Sequence, residues 1–534
     1  MGSLQSTAIT DRIAEHLRRG ELLDLASELA LGSPVDETVM RAWDGTHSIA
    51  ADDIRELLRG RRVTDPDPRG LRLRGARIHG RLDLDNLTTT VTLTLLDCLL
   101  DEGITAQAAH LPGLSLRRCL LTHPSKPALD ADELRTDAGV SFEGSTIRAR
   151  TADGAIRMNG ARISGQLDCS GATITNAAGP ALHAEHLRVE GNILLRGDFT
   201  AAGGVWLTWA QVGGWLDCSG ATMTNAAGTA LQAAALQVTG SVLCMGFTAD
   251  GAGKRGAVRL TGSRIGIQLE CSGATFVNSC GPALHGERLQ VGGDIFLRAG
   301  FTADGNSELG TVRLTGARIG GQLDCSGAVV ESRSDTQHRW NLDGLTYSRL
   351  PLDPLGTGPA GWLDLFRTAT PAYAAQPYQQ LVSVYQAAGH DRDVRQILIA
   401  QRRAQLDRGI LTGRDRLWTR ITGITLGYGY QPWRALLFLL GVVVISVGLA
   451  VILGAHGALV HPQDPTVPCT VTERIDVGLQ VGAPFLDTHA QDRCTTANTA
   501  TGIGLSYGIR VLQLMTTALA ALFIAGFTGV VRKA

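Results

Sequence analysis

The residues of this chain that could do chemistry are cysteines in a repeated phrase, histidines beside carboxylates, and arginines set at a constant distance from acids. Cys169, Cys218, Cys271 and Cys325 hold one equivalent place in that phrase, whose last copy reads Arg318-Ile319-Gly320-Gly321-Gln322-Leu323-Asp324-Cys325-Ser326-Gly327-Ala328. Redox or metal chemistry asks for converging thiols, yet no Cys-x-x-Cys pair occurs, so neither a thioredoxin-like dithiol nor a standard structural zinc site is indicated. In the other half of the repeat the equivalent residues are Leu195 and Leu297. A site that exchanges Cys for Leu wants a compact apolar filler. Cys244 and Cys280 read as off this register.

His183-Ala184-Glu185-His186 and His285-Gly286-Glu287 bring imidazole and carboxylate together at related places in the repeat. The Pro-Cys-x-x-Cys partner of a zinc deaminase is missing, and a surface-corner role is the simpler reading. Arg162, Arg264 and Arg318 each precede an acid, Asp168, Glu270 and Asp324, at one constant spacing. These six residues are the candidate interaction face, a solvated ladder of opposite charges worth little stability per pair. A nicotinamide or flavin enzyme needs a glycine-rich turn from strand to helix to hold a pyrophosphate, and none stands in that context. The sequence therefore assigns no catalytic residue, no cofactor and no metal ligand.

The elements that position these residues follow from the repeat. The phrase returns about every 50 residues, each unit holding two related halves of about 25 residues, which is the signature of a stacked solenoid. Short runs such as Val258-Arg259-Leu260 alternate apolar with polar between Gly-rich corners, a strand pattern. Such strands bury their apolar faces only by stacking, so the expected fold is mainly β: a parallel β-helix, right-handed by the usual crossover rule. Roughly eleven coils fit between Leu71 and Leu345, a rod on the order of 50 Å long. A pentapeptide-repeat solenoid is set aside because Ile319, Leu323 and Cys325 keep no five-residue interval.

Open ends of a rod expose strand edges and require caps. A helical cap is expected over residues 1–65, with Thr10-Asp11 starting one helix and Asp52 heading another, followed by the β-helix over 66–350. Its far end is closed by Trp340 to Pro354. A Pro/Gly-punctuated linker and a helical hairpin fill 351–430, with Tyr378, Leu381, Val382 and Tyr385 on one face before the Gly389-His390-Asp391 break and Val394, Ile397 and Leu398 after it. Residues 431–534 form a membrane anchor. Its two uncharged spans, about 435–453 and 511–531, match a hydrocarbon layer of roughly 30 Å.

Tyr428, Tyr430 and Trp433 suit an interfacial belt, and Arg414, Arg416, Arg420 and Arg434 load that side with positive charge, as Arg532 and Lys533 do after the second span. The positive-inside rule then predicts a multi-pass protein of the plasma membrane with both termini cytoplasmic and the loop from about Gly454 to Ser506 outside. Of the ten cysteines, eight fall in the rod and would stay reduced, while Cys469 and Cys494 fall in the outer loop, where a disulfide is permitted. A net charge of -1 gives no electrostatic case for nucleic acid. The charged start of the chain lacks the apolar core of a secretory signal.

The entry Arg69-Gly70-Leu71-Arg72-Leu73-Arg74-Gly75-Ala76-Arg77-Ile78, the Pro377-Tyr378-Gln379-Gln380-Leu381 hairpin and the Gly427-Tyr428-Gly429-Tyr430-Gln431-Pro432-Trp433 approach resemble a family of actinobacterial membrane-anchored β-solenoid proteins. Its members are often labelled membrane-associated oxidoreductases, and the resemblance implies that label without supplying catalytic residues to carry across. The expected function is a non-catalytic scaffold, tethered to the lipid bilayer and presenting its charged face to a protein partner or to copies of itself. The alternatives are the oxidoreductase of the label and a small oligomeric channel or loop-sensing membrane protein. The channel reading is weakened by the absence of a charge in either span and of a carbonyl-lined filter sequence.

Overall fold

The computed structural model describes residues 2–43, 47–334, 338–350, 359–371, 373–408, 412–428, 431, 433–464, 466–483, 486 and 489–527. Tyr430, Pro432, Pro351 to Pro354, the end of the second expected span, Arg532 and Lys533 lie outside these residues. The chain divides into two compact units, 1–389 and 390–534, with the division falling inside the helical pair that the sequence presents as one hairpin.

The first unit is a parallel β-solenoid of about twelve turns. Each coil has four short sides, exemplified by Leu182–His183, Arg188–Val189, Ile193–Leu194 and Thr200–Ala202; they are called sides 1 to 4. Every side pairs in parallel with the same side of the next coil. On side 3 the register runs Leu167, Ile193, Leu216, Val242, Leu269, Ile295, Leu323 without slippage. The aliphatic and thiol groups thus line one axis, as the repeat predicts.

Why the sequence repeats over two coils rather than one is a matter of volume. Each side sends two residues inward, and their bulk alternates from coil to coil. On side 4 the inward pairs are Ala172 with Ile174, Phe199 with Ala201, Ala221 with Met223, Phe247 with Ala249, Ala274 with Phe276, and Phe301 with Ala303, all buried. Sides 1 and 2 follow the same rule in the opposite phase, with Ala184 against Leu207 and Leu187 against Ala210. Interiors reach crystal-like density only when large groups face small ones, so a narrow coil with in-register stacking must alternate. Gly286 takes this to its limit, since a Cβ there would lie 2.9 Å from a Leu314 methyl.

Helices α1 (Gly2–Arg19), α2 (Leu25–Glu28), α3 (Glu37–Arg41) and α4 (Ala51–Leu58) form the N-terminal cap. Thr10 is inside α1 rather than at its start, buried and donating to Asp53 at 3.1 Å; it joins the first helix to the fourth. Asp52 is in the first turn of α4, whose N-cap is Ala50. The cap also extends the sheets, because Leu23–Asp24 pairs with Leu73–Arg74 and Ser48–Ala50 with Arg77–His79. This explains twelve strands on side 4 where the repeat alone predicts eleven coils.

Asp97, with no exposed side-chain surface, locks the junction by accepting from Arg74 Nε at 2.7 Å and Arg118 Nε at 2.8 Å, while Arg74 also reaches Asp24 at 2.9 Å. Burial alone would raise the Asp97 carboxyl, but the two guanidiniums hold it below the ordinary range.

At the other end, Trp340–Asn341 and Thr346–Arg349 are still strands of the solenoid, so the closure expected from Trp340 to Pro354 is made further on. It is made by α5 (Pro359–Thr368) and α6 (Ala375–Ala387). Gln376 and Gln380 of α6 donate to the Leu345 and Tyr347 carbonyls at 2.7 and 2.6 Å, satisfying the last open edge. Trp362 stacks on Tyr347, and Phe366 and Tyr378 extend the ring contacts from Trp362 to complete the seal.

Replacing Asp97 by Ala leaves the partly buried Arg118 without its carboxylate and Arg74 with Asp24 alone, and should cost about 3 kcal/mol in urea unfolding. Because the native carboxyl titrates below its unfolded value, its stabilisation is complete above the unfolded pKa and is lost as pH falls through the native one. The wild-type advantage over Asp97→Ala should therefore shrink in acid, and an advantage that grows there would contradict the assignment.

Candidate functional site

Sides 2 and 3 carry the residues singled out by the sequence, and the structure separates them. On side 2 the outward residues stack as Arg135, Arg162, Arg188, Gln211, Gln237, Arg264, Gln290 and Arg318. Among the described residues, no ion pair engages Arg135, Arg162, Arg188, Arg264 or Arg318. Adjacent cations one coil apart repel by up to about 1 kcal/mol even in water. The stripe therefore holds charge that folding leaves unmatched. Beside it runs a shallow groove of about 530 Å³ flanked by Gln237, Arg264, Gln290 and Arg318. Its floor is Gly266, Gly292 and Gly320, where a Cβ would meet a backbone oxygen of the preceding coil at 2.0 to 2.1 Å.

The acids that were expected to answer these arginines belong to side 3. Glu270 and Asp324 are buried and Asp168 is partly so. Each accepts from the backbone N–H two residues on, at 2.9 Å from Ser170, 3.0 Å from Ser272 and 3.0 Å from Ser326, so each fastens a corner. Their cationic neighbours are residues that the spacing overlooked. Arg298 lies 3.0 Å from Asp324 and 3.9 Å from Glu270, and Arg196 lies 3.4 Å from Asp217. Arg162, Arg264 and Arg318 thus do not form a mixed ladder with Asp168, Glu270 and Asp324: the arginines are exposed, whereas the acids are buried or partly buried and engaged by the serine amides. That Arg196 and Arg298 each follow the leucine of the column, Leu195 and Leu297, is the signal that could have found them.

The thiol column corrects a second expectation. Backbone bonds from Cys218 N to Leu243 O and from Cys244 N to Glu270 O place Cys244 in register, directly between Cys218 and Cys271. The column runs Cys169, Leu195, Cys218, Cys244, Cys271, Leu297, Cys325, so Cys244 stands where alternation calls for leucine. Its own coil also has Val242 where its counterparts have Ile193 and Ile295, while the next coil carries Phe276 in place of Ile174 or Met223. The Phe276 ring packs edge-on between Phe247 and Phe301, with centroids at 5.7 and 5.4 Å. Lost bulk on side 3 is thus matched by added bulk on side 4.

Hydrogen bonds to Cys244 and burial raise Cys218 and Cys271, whereas the same two bonds lower Cys244 against its burial. Burial raises Cys169 and Cys325. Buried from Cys169 to Cys271 and partly exposed at Cys325, this column is a packing feature; Cys280, off the column, is exposed.

The histidines fasten loops. His183 Nδ1 and His285 Nδ1 each bond a carbonyl of the previous coil at 2.9 Å, from Asp153 and Arg255, and His338 repeats the arrangement on Glu308 at 2.8 Å. Their Nε2 atoms stand 3.9 Å from Glu185 and 3.5 Å from Glu287. Burial lowers His285, which favours the neutral ring of a structural bracket.

The second unit holds α7 (Asp391–Asp407), α8 (Gly413–Leu426), α9 (Trp433–Ala455), α10 (Val471–Gly482), α11 (Ala490–Arg493) and α12 (Ala500–Phe527). By length and composition, α9 and the Ala500–Ile524 part of α12 could each cross a membrane. The second helix begins well before the expected residue 511 and runs through Arg510. On α8, Leu417, Trp418, Ile421 and Ile424 are exposed along one stripe. Arg403, Arg420 and Arg434, from three helices, line a cavity of about 700 Å³ with Tyr428, Trp433 and Phe438.

Cys469 and Cys494 are joined at an S–S distance of 1.98 Å. His461 and Glu473 lie close to Cys469, but its sulfur is committed to that bond. The segment between the two long apolar helices is not an open loop, since α10 packs along α9.

Comparison of the chain with protein-family models, curated proteins and solved structures finds no match.

Filling the column by Cys244→Leu should cost about 1–3 kcal/mol through overpacking. Adding Phe276→Ile should recover part of that cost, a coupling that unfolding of the two single variants and the double variant measures. Strict additivity would refute the exchange of bulk. In the folded, non-reduced protein, Cys280 should react first with an aromatic disulfide reagent and Cys218, Cys244 and Cys271 only on denaturation; prompt labelling of the column would show that the core is open.

Proposed function

We propose that the protein is a membrane-tethered scaffold whose solenoid docks an acidic protein surface along side 2. The observation that carries this reading is the column of arginines without ion-pair partners, broken only by glutamines, on a straight ladder of parallel strands. Rigid repeat surfaces act through extended contacts, and a cationic stripe steers and orients an anionic partner more than it adds raw affinity. Arginine forks favour carboxylates or phosphates. The oxidoreductase implied by the resemblance would need a redox group beside an accessible substrate, whereas the clustered thiols of the rod are enclosed.

The tether is read as two spans, α9 and α12, in the plasma membrane. Helix α8, with its apolar stripe and its Arg414, Arg416 and Arg420, has the make-up of a helix lying in an anionic interface. Positive charge before α9 puts that side, and with it both termini, in the cytoplasm.

The test is photo-crosslinking in intact cells from Gln211, in the middle of the stripe, and from Thr224 on side 4. Adducts with an acidic protein should form from Gln211 and disappear when Arg162 and Arg188 are changed to Glu. Adducts that form equally from Thr224, or that survive the charge reversal, would refute side 2 as the docking face.

A further inference from the structure

Three guanidiniums from three helices meet at one cavity of the second unit. Arg403 comes from α7, Arg420 from α8 and Arg434 from the first turn of α9, and the described lining of that space, about 700 Å³, contains no acidic residue. Arg403 and Arg420 are exposed, and Arg434 is half-buried. Among the described residues, no hydrogen bond or ion pair engages any of the three side chains. Like charges brought together repel, so the cavity holds positive charge that the fold does not neutralise.

The rest of the lining is apolar or aromatic. Ile424, Trp433, Leu437 and Phe438 border the same space, and each is exposed. Tyr428, whose amide donates to the Thr422 carbonyl at 3.0 Å, lies against α8 at Gly423, where a Cβ would stand 2.7 Å from the Tyr428 ring. A bare inorganic anion would satisfy the guanidiniums and leave the apolar wall in water. An apolar chain would cover the wall and leave the charge. A molecule with both parts answers the whole lining.

The order of groups along α9 says what kind of molecule that is. Leu437 and Phe438 follow Arg434 by three and four residues, so they continue its face of the helix, about 5 Å further along. With α9 read as a span, the cationic end of that wall stands at headgroup level and the apolar end at the start of the acyl layer. A phospholipid presents its phosphate and its chains in the same order. Arginine forks match phosphate, and basic pockets beside spanning helices on the cytoplasmic side take anionic headgroups.

We propose that this cavity binds one anionic phospholipid, with its headgroup phosphate held by Arg403, Arg420 and Arg434 and an acyl chain laid along Leu437 and Phe438. The inference rests on the membrane tether proposed above and adds to it the class of lipid that the tether selects. Because three cations converge, a headgroup with two phosphates is held more tightly than one with a single phosphate.

The test is native mass spectrometry of the full chain, purified in detergent and titrated with diphosphatidylglycerol or with phosphatidylcholine. One diphosphatidylglycerol should stay bound, and phosphatidylcholine should bind more weakly by about a hundredfold, roughly tenfold for each charge-assisted contact that its zwitterionic headgroup cannot hold. Arg420→Gln with Arg434→Gln should weaken diphosphatidylglycerol by about the same factor, whereas Arg414→Gln, which removes a charge of α8 outside the cavity, should leave it unchanged. The comparison of lipids on the parent chain stands whether or not the double variant keeps its fold. Equal retention of the two lipids, or an equal loss in Arg414→Gln, would overturn the inference. Displacement of the lipid by millimolar inorganic phosphate would overturn it too, by marking a site for a soluble anion. Alkaline extraction of cell membranes separates the two readings: a chain that stays with the membrane but holds no lipid overturns the site alone, and a chain that is stripped overturns the tether and the site with it.

Discussion

The constraint on which this molecule depends is the filling of a narrow interior by side chains stacked in strict register. Each coil contributes inward pairs on four sides, and every pair is bonded through its backbone to the same pair above and below. With no freedom to slide, volume can be balanced only by choice of residue. Phe199 requires Ala201 beside it and Ala184 across the coil; in the next coil Ala221 permits Met223 and Leu207. The two-coil sequence period is the imprint of this alternation, and the thiol column is one of its small-residue tracks.

That constraint also decides where function can sit. An interior packed with aliphatic, aromatic and thiol groups leaves no room for a reacting centre, and most conspicuous polar residues are consumed in holding corners: Asp168, Glu270 and Asp324 by bonding serine amides, His183 and His285 by bracketing loops. What remains unspent is the side 2 stripe. In the second unit the feature that packing leaves unexplained is the exposed apolar stripe of α8, which the proposed membrane tether would cover.

The solenoid was legible because Leu167, Leu216, Leu269 and Leu323 repeat with their neighbours intact. Cys244 was misjudged because Val242-Leu243-Cys244 resembles neither half-motif closely; only the backbone register shows that it replaces a leucine. Arg162 and Asp168 read as one ladder because spacing along the chain does not reveal that the acid is spent on the amide of Ser170. The N-terminal cap was readable as helices but not as a donor of strands, since Leu23–Asp24 and Ser48–Ala50 are too short to show alternation. Helix α10 was hidden in the loop between the spans because Glu473, Arg474 and Asp476 spoil its apolar pattern, while the Gly478 and Gly482 pair that marks its contact with α9 has meaning only once the partner is known.

Deletion of whole coils tests the packing claim most directly. Removing residues 205–257 takes out one large and one small partner on sides 1, 2 and 4 and joins coils of opposite phase, whereas removing 205–230 takes out a single coil and sets Phe199 against Phe247 and Ala184 against Ala233. Thermal unfolding should show the longer deletion retaining a cooperative transition near that of the parent and the shorter one losing most of its stability. If the single-coil deletion proves as stable as the two-coil deletion, alternation of bulk is not what holds this rod together.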